Sequence, residues 1–278
     1  MKIILTCFLT VNPNKLFYDF VKKLPDIDKT YICIDDNNYN IPDYDGKVKI
    51  IKIDNDICQK NGFHSTLTSL NCVKNFTGKA GSRDKALYYF YKNNIDYDYI
   101  WFIEQDVFIP TINTIKYINS KYPDQDLLCQ QHNIIYNRQL NWHWQLVNHQ
   151  LKDKILPPYS NSMICAIRCS KKLLKCIFNY ALKYNELFLD ETLFNTIALH
   201  NKLIVKPIKE LNTILWRKSG GWKKSNITVN NLYHPIKCID EQYKLRNSLN
   251  ENFLLNKRYL SKKKININFL KQIHYSTM

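Results

Sequence analysis

No stretch of this 278-residue chain stays apolar over the roughly 20 residues that a membrane-spanning helix needs. The apolar opening, Met1–Thr10, is too short for a span and no small-residue cleavage site follows it, so it reads as a first buried strand. No Cys-x-x-Cys pair occurs among the nine cysteines, at 7, 33, 58, 72, 129, 165, 169, 176 and 238. Their odd number, and settings such as Thr6-Cys7-Phe8 and Tyr31-Ile32-Cys33-Ile34, argue against a disulfide framework or a Cys-type zinc site. They suit free thiols used as small hydrophobes in a reducing compartment. No glycine lies between Leu9 and Asn14, so the Gly-rich phosphate loop that a nucleotidyltransferase would carry directly after its first strand is missing. The chain has no internal repeat. Two Asn-x-Thr sequons, at Asn75 and Asn226, are expected by chance in so Asn-rich a sequence.

Apolar residues make up 45% and charged residues 23%, the balance of a globular chain with a sizeable core. The length suits one large domain. The net charge of +16 is unevenly placed: residues 1–110 hold 14 basic and 14 acidic side chains, whereas residues 201–278 hold 16 and 4. A basic tail suits a phosphate-bearing partner such as a nucleotide, a nucleic acid or an anionic membrane. Codon bias gives an equally good account, because Asn, Lys, Ile and Tyr are the residues of AT-rich genomes.

Hydrophobic patterning in the first half alternates strands with helices. Ile3–Leu9, Tyr31–Ile34, Val48–Ile53 and Tyr99–Ile103 are short continuous apolar runs; Lys15–Lys23 and Ser82–Asn93 have helical spacing. Such an order predicts an α/β fold with a Rossmann-like, mostly parallel sheet flanked by helices. Ligands bind such sheets beyond the carboxyl ends of the strands, and acids stand at three of those ends: Asp35-Asp36, Asp54 and Glu104-Gln105-Asp106. Further on, Asp126–Gln131, Met163–Ile167 and Leu203–Val205 read as strands, and Ser170–Tyr184 and Glu191–Leu199 as helices. From about Asp240 the pattern fades into a basic helix or arm, 241–278.

The sharpest local signal is the greasy strand that runs into Glu104-Gln105-Asp106. Carboxylates at i and i+2 leave a strand on the same side, and two hard oxygen donors there can hold Mg²⁺ or Mn²⁺ against a diphosphate. Upstream, Gly78-Lys79-Ala80-Gly81-Ser82-Arg83 opens the preceding helix. This order resembles the GT-A glycosyltransferases, in which such a loop and helix precede a strand ending in Asp-x-Asp; here the first acid is Glu. The likeness covers residues 1–110 clearly and reaches patchily to about 237. It implies a single catalytic domain over 1–240, with a nucleotide-sugar half (1–110) and an acceptor half (111–240).

Asp190-Glu191-Thr192-Leu193-Phe194-Asn195-Thr196 is similar to the Asp-Glu-x-x-Phe-x-Thr run of the core-2 branching and xylosyltransferase group. That likeness implies Glu191 as catalytic base, with Asp190 as the alternative, and an inverting displacement. The broader resemblance to metal-dependent GT-A enzymes implies His234 as a third metal ligand beside Glu104 and Asp106. Lys237 and Arg83 would meet the diphosphate, and Asp35 and Asp36 the base or ribose. The core-2 group works without a metal, and Arg217, Lys218, Lys223 and Lys224 are the residues that would then face the diphosphate. Trp142, Trp144, Trp216 and Trp222 are candidates for stacking on sugar or donor rings, Trp222 being assigned to the donor.

The expected activity is therefore hexosyl transfer from UDP-sugar or another nucleotide-sugar to a glycan, protein or small-molecule hydroxyl, with Mn²⁺ or Mg²⁺ as cofactor. The expected setting is the cytoplasm, that of a host if the source is a large DNA virus, with no membrane anchor and no specific nucleic-acid partner. The competing expectations are a nucleic-acid-binding protein using the basic C-terminal third, with Ser261-Lys262-Lys263-Lys264 as its best feature, and an inactive GT-A scaffold.

Overall fold

The runs read as buried strands pair into one mixed sheet of seven strands in the structure, a computed structural model that describes residues 2–42, 48–65, 80–147 and 154–249. In chain order the strands are β1 (Ile4–Thr10), β2 (Thr30–Ile34), β3 (Lys49–Lys52), β4 (Tyr99–Glu104), β5 (Leu127–Cys129), β8 (Ala166–Ser170) and β9 (Val205–Pro207). Their spatial order is β3-β2-β1-β4-β8-β5-β9. Every strand runs the same way except β8, which is antiparallel to β4 and β5. A separate two-stranded sheet pairs β6 (Asn133–Ile135) with β7 (Tyr159–Asn161).

The helices are α1 (Lys15–Val21), α2 (Asn55–Lys60), α3 (Ser82–Lys92), α4 (Thr114–Lys121), α5 (Trp142–Leu146), α6 (Lys171–Tyr184) and α7 (Asp190–His200), followed by α8 over 239–249. The fold is thus mixed α/β, with a mostly parallel sheet flanked by helices, and is compatible with a Rossmann-like arrangement. Strand parity sorts two cores onto the two faces. Leu5, Cys7, Leu9, Ile100 and Phe102 face α3, α6 and α7, where Ala86, Leu173 and Phe194 complete one cluster. Phe8, Trp101 and Ile103 face the other side, where they meet Phe17 and Ile118 of α1 and α4. Edge-on ring contacts such as Phe90–Phe102, 6.3 Å between centroids, knit α3 to the central strand.

Two sequence expectations shift. The strand read as Met163–Ile167 lies further on, at Ala166–Ser170, because Arg168 is a fully buried strand residue rather than a terminator. Its guanidinium donates to Asn119 Oδ1 (3.2 Å) and the Tyr122 carbonyl and stacks over the Tyr99 ring. Asp54 is a helix cap: its carboxylate accepts from the Asp56 amide at 2.7 Å and so opens α2.

The faded C-terminal pattern begins with α8, whose buried Gln242 donates to the carbonyls of Gln105 and Ile236, both at 2.9 Å. Arg246 lies over Phe20 and donates to the Ile109 carbonyl. Gly62 is required where it stands, since φ is +78° and a Cβ would sit 2.6 Å from the Ala181 carbonyl of α6. The eight described cysteines are all free thiols. No described helix is long and apolar enough to cross a membrane. Cys72, the Asn75 sequon, Gly78-Lys79, the Ser261–Lys264 run and the rest of the arm beyond 249 lie outside the described residues.

Candidate active site at the carboxyl edge of the sheet

Parity along β4 decides where its terminal acid points. Glu104 follows Ile100 and Phe102 onto the face covered by α3 and α7, whose first turns carry Arg83 and Asp190. Arg83 is buried and reaches both: its guanidinium donates to Glu104 Oε1 at 2.8 Å, to the Ile164 carbonyl at 3.0 Å and to Asp190 Oδ2. Burial works against the charge of Arg83, but the two carboxylates outweigh it and raise its pKa. The acid at the strand end and the acid at the α7 start are therefore held by one cation.

The turn after β4 brings in His234. Gln105 is bound back to β1, its amide donating to the Leu9 carbonyl at 2.9 Å and its side chain meeting Thr10, which leaves Asp106 free to turn the other way. Asp106 Oδ2 lies 3.2 Å from His234 Nε2, and the Asp106 carbonyl accepts from the Ile236 amide at 2.8 Å. His234 Nδ1 lies 2.6 Å from the Leu215 carbonyl, so Nδ1 carries the proton and Nε2 faces the acids. Burial depresses the His234 pKa, yet the Asp106 hydrogen bond and charge, helped by the Leu215 carbonyl and Glu104, lift it above its usual value.

Glu191 stands next to Asp190 in the first turn of α7. Its Oε2 is buried and has no hydrogen-bond partner, and its carboxyl is pushed well above the usual range by burial and then by the Asp190 charge. Asp84, one residue past Arg83, accepts from the Gly81 amide at 3.0 Å and so caps α3; burial above all, with the Asp190 charge behind it, pushes it up to about 7.

The sequence-derived residues separate into groups. Glu104, Asp106, Arg83, Asp190, Glu191 and His234 come together. Arg83 is turned inward onto the acids instead of toward solvent. Asp35 sits at the β2 end, where the fully buried Lys85 donates to its carbonyl and to Asn37 Oδ1 at 2.7 Å; burial raises the Asp35 carboxyl despite Lys85. Asp36 accepts from the Asn38 amide at 2.8 Å in the following turn. Lys237 is exposed just past Ile236. Trp222 is buried edge-on against Tyr233, 4.9 Å between centroids, in a small cluster with Phe108, Ile227 and Ile236. Trp144 is fully buried too, whereas Trp142 and Trp216 are more than half exposed and meet each other at 6.4 Å.

Arg217, Lys218 and Lys223 are exposed and Lys224 half-buried on the loop that follows Leu215. Gly220 and Gly221 shape that loop with φ of +71° and +67°. Sequence reasoning missed Cys165, Asp84, Lys85 and Gln242. Cys165 was hidden in an apolar run, and a lysine or glutamine in a helix signals burial only when its neighbours across the fold are known.

Among the described residues, the ligand atoms that lie within 4.8 Å of one another belong to Glu104, Cys165 and His234, and Asp106 is outside that group. Four carboxylates, Glu104, Asp106, Asp190 and Glu191, share this edge with one guanidinium, and donor atoms of Glu104 and His234 lie within 4.8 Å of each other. The chemical capacity is an electrostatic anchor beside a buried carboxyl, one of whose oxygens lacks a hydrogen-bond partner and could exchange a proton. No protein-family model matches the chain, and no curated protein matches it significantly.

Proposed function

We propose that the chain is a glycosyltransferase of GT-A type that moves a sugar from a nucleotide-diphosphate donor to an acceptor hydroxyl with inversion. The observation that carries this reading is Arg83 holding Glu104 and Asp190 at once, which unites the strand-end anchor and the acidic helix start in one site. In this account the donor lies beyond β1, β2 and β4. Asp35 and Asp36 meet its nucleoside, and Lys237 with the 217–224 loop meets its diphosphate.

Glu104, Asp106 and His234 would hold a divalent cation, Mn²⁺ or Mg²⁺ in the resembled enzymes, which supplies charge neutralisation for the diphosphate. The acceptor oxygen attacks the anomeric carbon as the bond from that carbon to the diphosphate oxygen breaks. The electron pair leaves with the nucleoside diphosphate, and the hydroxyl proton passes to Glu191. A carboxyl raised by burial is a stronger base than an ordinary glutamate, which suits proton removal from an alcohol. Arg83 pairs with Asp190 beside Glu191, and Trp142 with Trp216 offers flat apolar faces to an acceptor sugar.

The test is a thermal-shift panel of UDP-, GDP- and CMP-sugars with the whole chain, with and without divalent cation. Stabilisation by one nucleotide class, reduced in Asp106→Asn, is the expected result. No shift with any donor, together with salt-sensitive binding to arbitrary DNA or RNA, would overturn the reading in favour of a nucleic-acid-binding protein.

A further inference from the structure

The thiol of Cys165 adds a soft donor to this edge. Its Sγ lies with a Glu104 carboxylate oxygen and a His234 ring nitrogen, all within 4.8 Å of one another. Backbone pairing fixes the placement, because the Glu104 amide donates to the Cys165 carbonyl at 2.8 Å where β4 meets the start of β8. His234 is pre-set as a ligand, since its Nδ1 proton is committed to the Leu215 carbonyl and Nε2 points toward Asp106. That outer hydrogen bond is the one that orients metal-bound histidines.

We propose that Glu104, Cys165 and His234 form a transition-metal site of mixed oxygen, sulfur and nitrogen donors. Such a site selects a borderline cation of the Zn²⁺ or Co²⁺ class over Mg²⁺.

Thiolate and imidazole together favour zinc-class ions, whereas Mg²⁺ demands an octahedral shell of oxygens. Metal–ligand bonds of about 2.0–2.3 Å place tetrahedral donors roughly 3.3–3.7 Å apart, so a contraction of at most about 1.5 Å closes the observed cluster on an ion. Binding is balanced by proton release: the Cys165 S–H proton leaves to solvent as the sulfur takes the cation. The cation also replaces any proton shared by His234 Nε2 and Asp106. This inference shares its residues with the transferase reading, but it names the class of cation and a ligand which that reading did not include.

Cobalt is the probe, because it reports sulfur ligation without any turnover. Titration of the whole chain with Co²⁺ is expected to give, at one equivalent, strong visible bands of a tetrahedral ion and a near-ultraviolet sulfur-to-cobalt band. Stoichiometric Zn²⁺ should remove both, and excess Mg²⁺ should not. Cys165→Ser should lose the sulfur band and bind Co²⁺ about 10-fold or more weakly, while Cys238→Ser, at an exposed thiol, keeps both.

A weak octahedral spectrum without a sulfur band in the wild type overturns the proposal. So does a sulfur band that survives in folded Cys165→Ser. If that variant fails to fold, the wild-type competition decides: displacement of Co²⁺ by Mg²⁺ as readily as by Zn²⁺ overturns it. The cobalt signature without sugar transfer would sink the transferase reading and leave the metal site standing; transfer without the signature would do the reverse.

Discussion

The Arg83 guanidinium, in the first turn of α3, donates to Glu104 at the end of β4 across 2.8 Å, with the arginine side chain almost wholly enclosed. The same group holds Asp190, so one cation spans the strand end and the start of α7. Taking one partner out of a buried ion pair leaves the others desolvated and uncompensated. Arg83→Met is therefore expected to cost about 3–5 kcal/mol in denaturant unfolding. Arg83→Lys, which keeps a charge but cannot fork between two carboxylates, should recover only part of that loss.

Glu191 carries a pH prediction. Its carboxyl is raised by burial and by Asp190, and the base must be unprotonated to act. The transfer rate should therefore fall, as pH is lowered, at a value above the ordinary 4.5 of a glutamate. Glu191→Gln should retain donor binding and lose about 10²–10⁴-fold in rate, with that acidic limb abolished. A limb that persists in the glutamine variant would assign the base elsewhere, Asp190 first.

Asp84 should govern stability rather than rate. Its folded pKa is raised from 3.8 to about 7, so the folded chain keeps a proton which the unfolded chain has already released. Stability must then fall as pH rises from about 4 to 7 and level off above that. Asp84→Asn can still accept from the Gly81 amide and should flatten this slope in thermal melts taken across the window.

Trp142 and Trp216 lie more than half exposed and in ring contact, although 74 positions separate them. Alanine at either should change stability by no more than about 0.5 kcal/mol. Acceptor KM should rise several-fold while donor binding stays unchanged. Equal losses for donor and acceptor would place the pair outside an acceptor subsite.

Much of this arrangement is legible in the sequence, for identifiable reasons. β4 announces itself because Tyr99–Ile103 is apolar on both faces, and the acids after it then fall at the sheet edge. Asp190 and Glu191 are visible as an acidic helix start. The direction of β8 is not, since a five-residue buried strand carries no mark of polarity and Arg168 with Ser170 masks its length. The hold of α8 on the Glu-Gln-Asp turn rests on Gln242, whose carbonyl partners Gln105 and Ile236 are tertiary facts. Cys165 looks like any core cysteine until β8 is placed antiparallel beside β4.

Calorimetric titration of the stabilising nucleotide-sugar into the wild type, Asp106→Asn and Glu191→Gln, with transfer measured on the same samples, separates donor anchoring from proton removal. A split is expected: Asp106→Asn weakens donor binding by about tenfold or more, whereas Glu191→Gln binds donor as the wild type does and transfers almost nothing. Donor binding and transfer unaltered by both substitutions would contradict it.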